Sequence, residues 1–190
     1  MIVLIIGLVL FFGMHSVTLL APRWRERQVS RFGEKRWKGF YAIISIAGLV
    51  LIVNGYESAR QAPLFVYLAP YWLRHVSWVL LLPVFPLLLA TYFPGRIKAA
   101  VRHPMLVATA IWAFAHLLTN GTVADVFLFG AFLAWALSLI ATAGSRPARA
   151  IPGAPASPAN DAIAVVAGLA LYAVTGLWAH RALFGIPAFF

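Results

Sequence analysis

An all-α integral membrane bundle of about six transmembrane helices, with both chain ends outside, is the fold class that this sequence predicts. Three observations predict it. Of 190 residues, 63% are hydrophobic and only 11% are charged, too little polar surface to wrap a soluble core. The apolar residues fall into runs near the roughly 20 that one helix needs to cross a bilayer. The basic residues sit between those runs, dense in one gap and sparse in the next.

The elements follow in chain order. The first span runs from Ile2 to Leu20 and is stopped by Pro22. No charged side chain precedes Arg23, and a basic cluster follows it. That order is the reverse of a signal peptide, so the segment reads as a retained helix with its N-terminus outside. The second span runs from about Phe40 to Tyr56 and the third from about Trp72 to Phe93. Pro83 and Pro86 each remove a helix hydrogen bond and predict a kink in the third. The stretch Pro63 to Trp72 before it is rich in proline and aromatic residues, as expected of an outer interface. The fourth span, Pro104 to Leu118, is short, and the fifth runs from about Val123 to Ala143. Gly144 to Asn160 is rich in Pro, Ala, Ser and Gly and has no periodicity. The last span is about Asp161 to His180, followed by a tail ending Ile186-Pro187-Ala188-Phe189-Phe190. The organisation expected is therefore a five-helix core (1–143), a flexible cytoplasmic linker (144–160), and a sixth helix with its tail (161–190).

Charge orients the bundle. Arg23, Arg25, Arg27, Arg31, Lys35, Arg36 and Lys38 fill the first loop, Arg96, Lys98 and Arg102 the third, and Arg146 and Arg149 the fifth. Six crossings put these twelve on one side and leave Arg60, Arg74 and Arg181 on the other. The positive-inside rule makes the twelve cytoplasmic in a multi-pass membrane protein. The net charge of +10 is thus assigned to the lipid bilayer as partner and not to nucleic acid. A small hydrophobic substrate is the other partner compatible with so apolar a chain.

Composition also excludes chemistry. With no cysteine there is no disulfide, thiolate site or cysteine nucleophile. Glu26, Glu34, Glu57, Asp125 and Asp161 are the only acids, which argues against carboxylate-bound metals and paired-carboxylate catalysis. No nucleotide-binding glycine motif, hydrolase elbow or HExxH signature occurs. Asn54 and Asp125, near outer span ends, read as solvated caps.

Ionisable side chains inside lipid are costly and therefore draw attention to His15, His75, His103, His116 and His180. Neutral imidazole is the natural ligand for haem iron, copper or zinc when Cys is absent. His15 sits within the first span, beside Ser16 and Thr18. His116 shares a helix face with Trp112 and Asn120, spaced four apart, and Asn120 is placed to orient the imidazole through its second nitrogen. Each reads equally as a ligand and as an interhelical hydrogen-bonding residue. His103, before Pro104, reads as a cap or interface residue, and His75 and His180 fall at the outer boundary.

Gly13-Met14-His15-Ser16, Arg31-Phe32-Gly33-Glu34, Arg102-His103-Pro104-Met105-Leu106 and Trp112 through Gly121 together resemble the NnrU family. The resemblance extends over nearly the whole chain, including Trp178-Ala179-His180 and Gly185-Ile186-Pro187. Members are small polytopic inner-membrane proteins, and the family name comes from a bacterial gene associated with nitrite and nitric oxide metabolism, hence with denitrification. The family is similar to plastid 15-cis-zeta-carotene isomerase, which uses haem b. Carried over by the His-Ser and Ala-His motifs, the resemblance implies that His15 and His116 ligate haem iron, with Asn120 beside the cofactor. The isomerase has a further functional histidine after its second helix, where this chain reads Val53-Asn54-Gly55-Tyr56. That departure weakens the transfer of carotene isomerisation.

Depth along the helices suggests other pairings. His15 lies roughly 7–8 Å from the cytoplasmic end of its helix, and His116 roughly 20 Å beyond His103. Depth alone pairs His15 with His103, the alternative iron ligand, and His116 with His75 or His180. Three functions are carried forward. A haem-binding protein, if an enzyme then a haem-dependent isomerase, stands beside a non-catalytic membrane scaffold or assembly factor. An isoprenylcysteine-type methyltransferase, suggested by Arg-His-Pro opening a helix, lacks the downstream acidic segment of that group.

Overall fold

The chain folds largely into helices, in a computed structural model that describes residues 1–145 and 151–189. Arg146 and Arg149, counted above with the cytoplasmic charges, and Phe190 lie outside the described residues. Ten α-helices are present among those described: α1 (Ile2–Leu20), α2 (Pro22–Phe32), α3 (Glu34–Arg60), α4 (Leu73–Leu81), α5 (Val84–Tyr92), α6 (Arg96–Val101), α7 (Pro104–Thr119), α8 (Val123–Ala141), α9 (Ala159–Val174) and α10 (His180–Phe184). A π-helical turn, Thr175–Ala179, joins the last two into one apolar rod. Five stretches are long and apolar enough to cross a membrane: α1, α3, α4 with α5, α8, and α9 through α10. The shorter α7 is apolar as well. This is a helical, multi-pass membrane protein.

Two compact units divide the chain: residues 1–68 with 120–131, and residues 69–119 with 132–190. In the first, α1 and α3 pack antiparallel through glycines. A methyl on Gly7 would lie 2.6 Å from the Ile52 amide nitrogen, and one on Gly48 would lie 2.8 Å from that of Phe11. Gly55 meets the Leu4 backbone in the same way. Lipid tails are as apolar as leucine, so close backbone packing at small residues, not hydrophobic burial, holds such a pair together. α2, which the sequence presents only as a basic loop, is helical from Pro22 at its first turn to Gly33, whose φ of +82° suits glycine.

The extended residues after α3 return to the start of α8. Val66 N–H donates to Gly121 O at 2.8 Å, and Val123 N–H to Leu64 O at 2.8 Å. The Gly121 Cα faces the Tyr67 carbonyl so closely that no side chain fits.

In the second unit an interruption stands where the prolines predict a kink. α4 ends at Leu81 and α5 begins at Val84, with Pro83 between them. Because Pro83 has no N–H, the Val79 carbonyl accepts from Leu82 instead, at 3.3 Å. Val84, Leu87 and Ala108 form the core where α5 meets α7, and Ser77 of α4 donates to Ala115 O of α7 at 2.8 Å. On α9, Gly168 lets the Pro86 backbone approach.

The described end of the linker stretch is tied down as well. Ala154 N–H donates to Tyr92 O at 2.8 Å, and Asn160 Nδ2 donates to both Pro94 O and Pro155 O at 2.9 Å. Asp161 accepts the Arg96 and Ile97 amides at 2.8 and 3.0 Å, supplying the side-chain cap that α6 otherwise lacks. The tail folds back too: Trp78 Nε1 donates to Ala188 O at 2.9 Å, and Phe189 packs on Trp78 and Tyr172.

Candidate functional site

The two histidines singled out by the sequence stand in matching surroundings. His15 is half-buried near the end of α1, in the first unit, with Nδ1 2.8 Å from the Phe11 carbonyl and its ring stacked on Phe11 at 4.0 Å. His116 is half-buried near the end of α7, in the second unit, with Nδ1 2.8 Å from the Trp112 carbonyl and the Trp112 ring 5.1 Å away. In both cases the helix presents an aromatic residue one turn earlier, which contributes its ring and its backbone oxygen together.

A carbonyl oxygen only accepts, so both Nδ1 atoms carry the hydrogen. The lone pair is then on Nε2 in each imidazole. This is how an imidazole is set up as a metal ligand: one nitrogen donates to a backbone oxygen, fixing the tautomer, and the other presents its lone pair. The residues present therefore fit an iron-bound haem chemically. Tyr41 of α3 adds a tilted ring whose centroid is 5.2 Å from that of His15.

At Nδ1 of His116 the Trp112 carbonyl is the partner. Asn120 belongs to the first unit, where its own carbonyl accepts from the Tyr67 hydroxyl at 2.9 Å. Phe11 escaped the sequence reading, although its spacing to His15 equals that of Trp112 to His116.

The other histidines sit where caps and interfaces are expected. His103 is exposed, and its carbonyl accepts the first α7 bond, from Val107 at 3.1 Å. His75 is exposed between Tyr71 and Trp78. The Nδ1 of His180 donates to Ile186 O at 2.7 Å. Among the described residues, no three His, Asp or Glu side chains gather into a metal-binding group.

Two further features were not anticipated. Asp125 is a cap but not a solvated one, being only 5% exposed. It accepts from the Thr122 amide at 2.9 Å and the Thr122 hydroxyl at 2.6 Å, while Thr122 Oγ1 accepts the Asp125 amide at 3.2 Å. This reciprocal box opens α8, and the Tyr56 hydroxyl completes the carboxylate's shell. Partial burial, then the charge of Asp125, raises the nearby Tyr67 hydroxyl above its ordinary range. Asn54, by contrast, is exposed and donates back to Val50 O.

Arg102 is the second. It has φ +62° and ψ −49°, and the His103 amide donates to Val101 O at 2.7 Å. That is a γ-turn of the strained hand, rare for a residue with a side chain.

The model for "NnrU protein" matches residues 3–188 of this chain. The chain belongs to the NnrU family. No curated protein and no solved structure matches it. Both histidines, the Arg102 turn and the buried Asp125 therefore lie inside the NnrU region of the chain.

Proposed function

We propose that this NnrU protein binds haem b in the bacterial inner membrane, with His15 and His116 as iron ligands. The chemistry it serves belongs to nitrogen-oxide metabolism or to a redox-controlled isomerisation of a small hydrophobic substrate. The observation that carries the reading is the matched imidazole arrangement: in each, Nδ1–H is held 2.8 Å from the carbonyl of an aromatic residue one turn earlier. In that tautomer the lone pair is on Nε2, the atom that would ligate iron in each imidazole. When bound, the haem supplies an iron that changes oxidation state within the bilayer. The protein's part is to fix the two tautomers, through the Phe11 carbonyl at His15 and the Trp112 carbonyl at His116.

The proposal includes six crossings with the basic loops in the cytoplasm. Support comes from the hydrogen bonds of Gly121 to Val66 and of Val123 to Leu64. The chain leaves this region at Leu68 and returns to it at Asn120, which suits two crossings between, one by α4 with α5 and one by α7.

The deciding experiment is an absorption spectrum of the full chain, purified in mild detergent from haem-supplied cells, oxidised and then reduced. A sharp Soret band that His15→Ala and His116→Ala both abolish is the expected result. A featureless spectrum at good yield refutes the proposal. It leaves the second reading, a non-catalytic scaffold, which the same Nδ1 bonds favour because each imidazole already has a backbone partner.

A further inference from the structure

The connection between α1 and α3 carries an inference that does not depend on haem. α2 is joined to α1 by Ala21 alone and to α3 by Gly33 alone. Since α1 and α3 are packed membrane spans, an 11-residue helix tethered by single residues at both ends stays in the headgroup layer. Its length is about 16 Å, too short to reach far from that layer.

One side of α2 is anchored. Trp24 meets Trp37 of α3 edge-on at 5.6 Å, and the Arg25 guanidinium stands 6.0 Å from the same ring. Trp37 is 7% exposed, so this contact seats α2 on the first turn of α3. Arg23, Arg27 and Arg31 lie one turn apart along α2, and all three are exposed. None of the three has an ion-pair partner among the described residues; the ion pair nearby is Lys38 with Glu34 at 2.8 Å. From Pro22 to Lys38 there are seven basic residues against Glu26 and Glu34.

We infer that α2 is a binding surface for anionic phospholipid headgroups, with Arg23, Arg27 and Arg31 as its phosphate contacts. Arginine is suited to this, because its planar fork pairs with phosphate oxygens two at a time. In an acidic phospholipid such as phosphatidylglycerol no headgroup cation cancels the phosphate charge, as choline does in phosphatidylcholine, and juxtamembrane arginines select for that net negative charge. A lipid is favoured over an acidic protein because the tethers hold the arginine row where phosphates are always present.

The test uses the full chain in phosphatidylcholine vesicles with a trace of acyl-chain spin-labelled phosphatidylglycerol or phosphatidylcholine. The motionally restricted fraction of each gives the relative association. Phosphatidylglycerol is expected to associate about fivefold more strongly, the triple change of Arg23, Arg27 and Arg31 to Gln to lower this to about unity, and the same change to Lys to retain most of it. If the triple Gln protein does not fold, Arg27→Gln and wild type in 1 M salt replace it, each expected to lower the preference. Equal association of the two lipids with wild type overturns the inference, as does a preference that the Gln changes and salt leave intact. So does tight capture of a polyglutamate peptide by a wild type showing no lipid preference, which would make α2 a protein dock.

Discussion

The Tyr56 hydroxyl donates to Asp125 Oδ1 across 2.5 Å, joining the last turns of α3 to the first turn of α8. The carboxylate is nearly sealed from solvent, so this bond is charge-assisted and its loss leaves a buried oxygen short of a donor. Tyr56→Phe is expected to lower stability by about 1–2 kcal/mol. Asp125→Ala also dismantles the capping box with Thr122 and should cost more, about 2–3 kcal/mol. Denaturation of the purified variants, followed by tryptophan fluorescence, checks the order; equal and negligible effects would show that the pair is idle.

The glycines of α1 make a prediction that separates packing from helix propensity. Alanine at Gly7 would put a methyl 2.6 Å from the Ile52 amide nitrogen, which is backbone and cannot swing aside. Gly7→Ala is therefore expected to destabilise by about 1–3 kcal/mol. Gly13, on the same helix, has nothing within 4 Å of an added Cβ. Gly13→Ala should be neutral or stabilising by up to about 1 kcal/mol, the ordinary helix preference for alanine. If the two substitutions behave alike, the small-residue contact between α1 and α3 is not what holds them.

Arg102 predicts a gain from losing its side chain. Glycine accepts φ +62° freely, whereas alanine keeps a Cβ and the strain with it. Arg102→Gly should raise stability by about 1 kcal/mol net of glycine's entropy, with Arg102→Ala unchanged. Equal stabilities for Gly and Ala would mean that the turn stores no strain.

The fold was legible where hydropathy and helix ends coincide. Ile2–Leu20 has the ends that Pro22 and the apolar run dictate. Elsewhere helices outrun their apolar cores: α3 extends to Glu34 and Arg60, since charged residues continue a helix beyond the hydrocarbon. α2 and α6 were hidden because basic side chains look like loop, although Arg23, Arg27 and Arg31 keep helical spacing. At the site, the sequence could point to His15 and His116 as types of residue in unexpected places. It could not assign Nδ1 of either, because the acceptor is a backbone oxygen that every residue owns. The burial of Asp125 was equally invisible, resting on a partner 69 residues away.

The last prediction concerns α7, whose 16 residues span about 24 Å against a hydrocarbon core of about 30 Å. Local thinning of the bilayer accommodates such a mismatch at modest cost, and the return of Gly121 to the Val66 amide favours a crossing. Because the chain has no cysteine, single cysteines report position without background. Ser58→Cys and Tyr71→Cys are expected to react with an impermeant thiol reagent in intact cells. Ser30→Cys, Ala100→Cys and Ser145→Cys should react only after permeabilisation. Ser145 decides the matter: if α7 fails to cross, α8 delivers it to the side opposite Ala100. Labelling of Ser145→Cys in intact cells, with Ala100→Cys protected, would reduce the crossings between Leu68 and Asn120 to one and remove α7 from the membrane.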